Sequence, residues 1–226
     1  MTIMYTNMMF SLNLTAKEEP PMSDLPIAPR LDSSTALIIV DMQEGFLRDD
    51  AAMARLGFNL GLLREALDPC VQLLEAARNA GALVVFTRYV YKPDYSDGAI
   101  MIELNPGLKA EGALKAGEWE VEISPALAPR AGEAIIDKSK PSAFYGTDMD
   151  QVLEKNGIER VIVCGITTNC CVESTVRDAS HRDYQTWLVT DAVAESARDR
   201  HDYAIQCMTM LFARGTTVAE VCAASA

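Results

Sequence analysis

Six short apolar runs separated by stretches of helical periodicity leave this chain few folds to adopt. Thr35 to Val40 is a continuous apolar run that stops at Asp41, as suits a strand covered on both faces of a parallel sheet. Leu83–Tyr89, Ala134–Asp137, Arg160–Cys164, Gln185–Thr190 and Gly215–Val218 read as the other strands. Between them, residues 60–79 read as a helix, with Asp68-Pro69 as a capping start or kink and Gly81 as its stop. Thr147 to Asn156 is a second helix, with Thr147 as N-cap, followed by helices over 170–182 and 200–212. Strands alternating with helices imply right-handed crossovers. The expected fold is α/β: a three-layer, doubly wound, mostly parallel six-stranded sheet with helices on both faces. The segment 92–129, with Gly98, Gly107, Gly112 and Gly117 set among prolines, breaks the alternation and is expected to cover a site.

The 226 residues suit a single domain, expected over 31–226, preceded by a flexible arm over 1–30 with Pro20-Pro21, Pro26 and Pro29 at its end. Met22 is an alternative start to Met1. No Lys or Arg precedes Lys17, so the basic region of a secretion signal is missing, and no apolar run reaches the roughly 20 residues needed to span a bilayer. A cytoplasmic location and free thiols follow as expectations. The net charge of −12 argues against nucleic acid as a partner. Six cysteines without paired C-x-x-C spacing give no zinc pattern, and neither a metal nor a cofactor is expected.

Ligands of open α/β sheets bind outside the carboxyl ends of the strands, near a reversal of strand order. Asp41 ends the first strand, Lys138 follows the third, and Gly165 to Cys171 joins the fourth to its helix. A cysteine at a helix N-terminus is stabilised as the reactive thiolate. A carboxylate can take its proton, an ammonium can hold the charges, and backbone N–H groups of the same turn can receive an oxyanion. On residue type alone, a solvated aspartate, a surface lysine and a buried structural thiol remain open.

Three blocks decide between these readings: Val40-Asp-Met-Gln43, Lys138-Ser-Lys-Pro-Ser-Ala-Phe-Tyr-Gly-Thr147, and Gly165-Ile-Thr-Thr-Asn-Cys-Cys-Val-Glu-Ser-Thr175. In this order, and over about residues 32–222, the chain resembles the isochorismatase-like cysteine hydrolases. The resemblance implies Asp41, Lys138 and Cys171 as the catalytic set, rather than Lys140 or Cys170. It also implies an oxyanion hole from the N–H groups of Thr167 and Cys171, and a cis peptide at Ile166–Thr167.

Isochorismate-cleaving members lack the cysteine, so Cys171 implies acyl chemistry rather than vinyl-ether hydrolysis. Nicotinamidases carry an Asp-x-His metal motif, whereas the two histidines here, His181 and His201, lie in expected helices. Gly117-Glu-Trp119 and Cys171-Val-Glu-Ser-Thr175 look most like ureidoacrylate, biuret and triuret amidohydrolases, with N-carbamoylsarcosine and maleamate hydrolases as neighbours. The expected function is hydrolysis of a small linear ureido or carbamoyl amide, with a non-catalytic binding protein as the alternative of another class. Gln43, Phe46, Arg88, Tyr89, Tyr91, Trp119 and Tyr145 are candidate substrate contacts, Arg88 as the partner of a carboxylate or distal carbonyl. A homo-oligomer, tetramer or dimer, is expected from the family and from the stripe Met208, Met210, Leu211 and Phe212.

Overall fold

A computed structural model describes residues 29–225, so the expected arm, apart from Pro29 and Arg30, lies outside the described residues. The strands are β1 Thr35–Val40, β2 Leu83–Tyr89, β3 Ala134–Lys138, β4 Arg160–Ile166, β5 Gln185–Ala194 and β6 Arg214–Thr216. They form one sheet in the order β3-β2-β1-β4-β5-β6, and every pairing is parallel. The unbroken apolar run of β1 is explained by its place: central in the sheet and buried along its whole length.

The order reverses between β1 and β4. Right-handed crossovers therefore send the helix after β1 and the helix after β4 to opposite faces, giving three layers. The helices are α1 Glu44–Leu47, α2 Ala52–Arg55, α3 Leu60–Leu63, α4 Leu67–Ala80, α5 Ile100–Leu104, α6 Pro106–Ala110, α7 Met149–Lys155, α8 Glu173–Ser180, α9 Arg198–Leu211 and α10 Val218–Ala224. Helix α4 packs against α10, and α8 against α9. One contiguous apolar core runs from Leu31 to Val221. No helix among the described residues is long and apolar enough to cross a membrane.

Several boundaries differ from the sequence reading. The helix expected over 60–79 is two helices, α3 and α4, joined by a 3-10 turn at Arg64–Ala66, with Pro69 in the first turn of α4 and Gly81 at φ +71° closing it. Helix α7 starts one residue late, with Asp148 and not Thr147 at its N-cap, because the Thr147 hydroxyl donates to Ala143 O at 2.5 Å. Helix α10 takes up part of the expected last strand: Thr217 and Glu220 form a reciprocal capping box, and Val218 is already helical. Strand β5 continues through Asp191 to Ala194, since Val193 and Ala194 pair with Gly165 and Ile166 of β4 after a shift of register, while the side chains of Thr190 and Asp191 bond to Thr216 O at 3.1 Å and Val218 N at 2.9 Å. Segment 92–129 is not plain loop but holds α5, α6 and two 3-10 turns.

One glycine brings the strand ends together. Gly165 pairs with Val40 and sits at φ +109°, and a Cβ there would lie 2.2 Å from Val40 O. Only glycine permits this approach, which sets the turn after β4 against the end of β1.

Candidate functional site

The carboxyl ends of β1, β3 and β4 deliver one side chain each. Asp41, at the end of β1, is fully buried at φ +51°. Its Oδ2 accepts from Lys138 Nζ at 2.7 Å, with neither side chain exposed. Its Oδ1 accepts from the Thr87 hydroxyl at 2.6 Å, and the Asp41 N–H donates to Thr87 O at 3.2 Å. The Lys138 ammonium lies 4.3 Å from the centre of the Tyr89 ring. An ion pair this deeply buried persists only with further hydrogen bonds, and Thr87 supplies one.

The third element is the turn after β4. The Ile166–Thr167 peptide is cis. Residues Thr168–Val172 then form a π turn before α8, a wider start than the α-helix expected from Cys170. Thr167 O accepts from the N–H groups of Cys170 and Val172, at 3.1 and 3.2 Å, but not from that of Cys171 between them. Cys171 is buried at 4 % exposure, and Cys170 is half-buried.

The electrostatics bind these groups into one unit. The Cys171 thiol is held well above its ordinary value by the adjacent Cys170 thiol, by burial and by the Asp41 carboxylate, with Lys138 opposing. The same proximity of the two thiols lowers Cys170, against its burial. Burial works to lower the Lys138 ammonium, but Asp41 and Cys171 beside it win and raise it. Burial likewise raises Tyr89 and pushes Tyr91 up to about 12.

These directions predict alkaline sensitivity. In the unfolded chain the Cys171 thiol releases its proton near 9.0, whereas the folded chain keeps it to higher pH. Lys138 and the two tyrosines have the same sign, so their contribution is complete below the unfolded values and is lost as pH climbs through the folded ones. Cys170 acts oppositely, below that range. Thermal denaturation at stepped pH should show Tm falling from about pH 9 upward, at up to about 1.4 kcal/mol per pH unit for each group. The Cys171→Ala variant should fall less steeply at the start of that range. A Tm that rises between about pH 9 and about pH 11 would contradict the assigned signs.

A cavity of about 400 Å³ opens above the turn. Thr167, Asn169, Cys170 and Cys171 line one side; Asp41 and Lys138 lie behind it and do not line it. Phe46, Tyr89 and Tyr91 also line the cavity. Met53, Leu56 and Phe58 form part of an apolar wall, which Met101 and Leu108 from the 92–129 segment extend.

Four candidate contacts lie elsewhere. Arg88 forms a two-pronged ion pair with Asp137, at 2.7 and 2.8 Å, because neighbours in a strand point to opposite faces and Tyr89 takes the cavity side. Gln43 is fully buried and pins backbone, donating to Tyr89 O and Val121 O and accepting from Tyr89 N. Trp119 lies on the surface, with Arg48 stacked 4.2 Å from its ring centre. Tyr145 is 69 % exposed and borders a separate depression with Lys92 and Lys140.

Thr87, Glu195 and Arg200 are among the residues that the sequence analysis did not single out. Thr87 was visible as the one threonine within β2. Glu195 and Arg200 line the cavity, but with β5 expected to stop at Thr190 neither fell at a strand end. Among the described residues, no group of three or more His, Cys, Asp or Glu side chains could hold a metal ion.

The isochorismatase domain model matches residues 35–220. The ureidoacrylate amidohydrolase RutB of Azorhizobium caulinodans is 30% identical over 175 residues, covering 72% of this chain and 77% of its own length. The protein of the same name from Stutzerimonas stutzeri is 31% identical over 198 residues, 81% of this chain and 79% of its own. Among solved structures, a cysteine hydrolase from Pseudomonas syringae pv. phaseolicola superposes with a TM-score of 0.79 at 32% identity, over 90% of this chain and 98% of that one. An N-carbamoylsarcosine amidase from Thermoplasma acidophilum gives a TM-score of 0.64 at 29% identity, over 82% and 96%.

Proposed function

The chain belongs to the isochorismatase family of hydrolases, and from that premise we propose that it is a cysteine-dependent amidohydrolase cleaving a C–N bond of a small linear ureido or carbamoyl compound. The observation that carries this reading is the buried Asp41–Lys138 ion pair set behind a cysteine turn that opens on a cavity. The names of the similar proteins, a ureidoacrylate amidohydrolase and an N-carbamoylsarcosine amidase, share carbamoyl amide chemistry and support the substrate class.

In the proposed cycle Asp41 takes the Cys171 proton while Lys138 keeps the carboxylate and the nascent thiolate charge-balanced. A thiol held above its ordinary value stays protonated in the resting site, and its proton leaves as the carbonyl is attacked. Sulfur adds to the carbamoyl carbon, and the N–H groups of Thr167 and Cys171 receive the oxyanion. The C–N bond breaks, Asp41 returns the proton to the departing amine, and a carbamoyl thioester remains on Cys171. Water, deprotonated by Asp41, cleaves the thioester to carbamate, which decomposes to ammonia and carbon dioxide. No step calls for a metal or a cofactor.

Homo-oligomer formation belongs to the same proposal. The C-terminal stripe divides: Met208 is buried in the core, whereas Met210 and Leu211 are 69 % and 72 % exposed and leave an apolar edge on α9.

Ammonia release from N-carbamoyl-β-alanine, biuret, N-carbamoylsarcosine and maleamate tests the reading. The expected result is turnover of ureido compounds ahead of maleamate. Turnover of isochorismate alone would overturn it.

A further inference from the structure

Within a cavity whose outer wall is mostly carbon, one carboxylate stands out. Ile166 pairs with Ala194 across β4 and β5, so Glu195 follows β5 at the strand end beside Thr167 of the cysteine turn. Its side chain is only 2 % exposed, and the residue lines the cavity. Oε1 is fully engaged: it accepts from Ser196 N at 2.9 Å, Ser196 Oγ at 3.0 Å and an Arg200 guanidinium nitrogen at 3.1 Å. Oε2 is buried and has no partner among the described residues.

A buried carboxylate oxygen without a donor is costly, and on a residue that lines a ligand cavity a ligand can supply what the protein does not. From this we infer that Glu195 is a specificity residue, whose Oε2 accepts a hydrogen bond from an N–H of the substrate's acyl portion. This rests on the amidohydrolase reading above and deepens it. The Thr167 N–H is assigned to the carbonyl oxygen, so a neighbour of Thr167 meets the substituent on the acyl carbon. In a carbamoyl group that substituent is –NH2, which donates to Oε2. In a carboxamide or acetamide it is carbon, which leaves the oxygen unpaired. Glu195 therefore selects ureido compounds over ordinary amides.

The test compares N-carbamoyl-β-alanine with N-acetyl-β-alanine, which differ only in NH2 against CH3 on the acyl carbon and share the scissile bond. The wild-type protein should favour the carbamoyl compound. Glu195→Gln keeps an oxygen for Ser196 and Arg200 but puts an N–H donor where Oε2 stood. It should cut the ratio of the two kcat/KM values by about 10- to 100-fold, the worth of one hydrogen bond to a charged group. Glu195→Ala should cut it too, and Tm of the Gln variant should stay within a few degrees of wild type. Equal losses on both compounds, with the ratio unchanged, would overturn the inference and leave the amidohydrolase reading intact. Wild-type inactivity on every ureido compound would overturn that reading and this inference together.

Discussion

The Cys171→Ala protein is expected to lose at least about 10³-fold in kcat, while Cys170→Ala keeps most of it. Both thiols line the cavity, so exposure alone does not separate them. Position does. The Lys138 ammonium and the Asp41 carboxylate paired with it both act on the Cys171 thiol, which gives Cys171 a proton acceptor and a counter-charge in one place. Thr167 O accepts from the N–H groups of Cys170 and Val172 and not from that of Cys171. Cys170 is half-buried, and its main partner is Cys171 itself.

The two single variants carry a second signature. Because the adjacent Cys170 thiol is the first cause of the raised Cys171 thiol, Cys170→Ala should let Cys171 ionise at lower pH. The alkylation rate of Cys171 followed against pH would then shift toward acid. Near-normal turnover in Cys171→Ala, with loss in Cys170→Ala, would move the nucleophile to the neighbouring residue.

Lys138→Met is expected to cost both stability and rate. Removing one partner of a fully buried ion pair leaves the other charge unmatched, at about 3–5 kcal/mol. Asp41 would keep only the Thr87 hydroxyl and would lose the partner at 2.7 Å. The rate should fall by about 10²- to 10⁴-fold, the usual worth of a positioned acid–base pair. The double variant Asp41→Asn/Lys138→Met separates the two effects. It should regain a good part of the lost stability, since both charges are gone, but none of the turnover. Denaturant unfolding of the three proteins beside their kcat values is the measurement. A Lys138→Met protein as stable as wild type would mean that the pair contributes nothing to the folded state.

How the sequence encoded these features differs from element to element. Strands β1 and β2 were legible because burial on both faces removes polar side chains from the pattern. The far half of β5 was not, because Asp191 looks like a strand end until α10 is seen to use it as a backbone partner. Asp41 and Lys138 could be read as strand ends, each placed by the sheet and not by local geometry. Arg88 failed for a reason already present in the two-residue period of a strand: Arg88 and Tyr89 cannot both face the cavity. Gln43 failed because a polar side chain two residues from Asp41 can serve the backbone, and all its side-chain hydrogen bonds here go to main-chain groups. Met101 and Leu108 were hidden in a segment whose glycines and prolines mask its short helices, and only tertiary packing shows that it walls the cavity.

In the proposed cycle, amide cleavage runs through a covalent carbamoyl group on Cys171. Acid-quenching the protein during turnover of N-carbamoyl-β-alanine, followed by peptide mass spectrometry, tests it most directly. The expected result is the added mass of a carbamoyl group on the peptide containing Cys170 and Cys171, placed on Cys171 by fragmentation and absent from Cys171→Ala. Steady turnover with an unmodified Cys171, or with the group on Cys170, would contradict it.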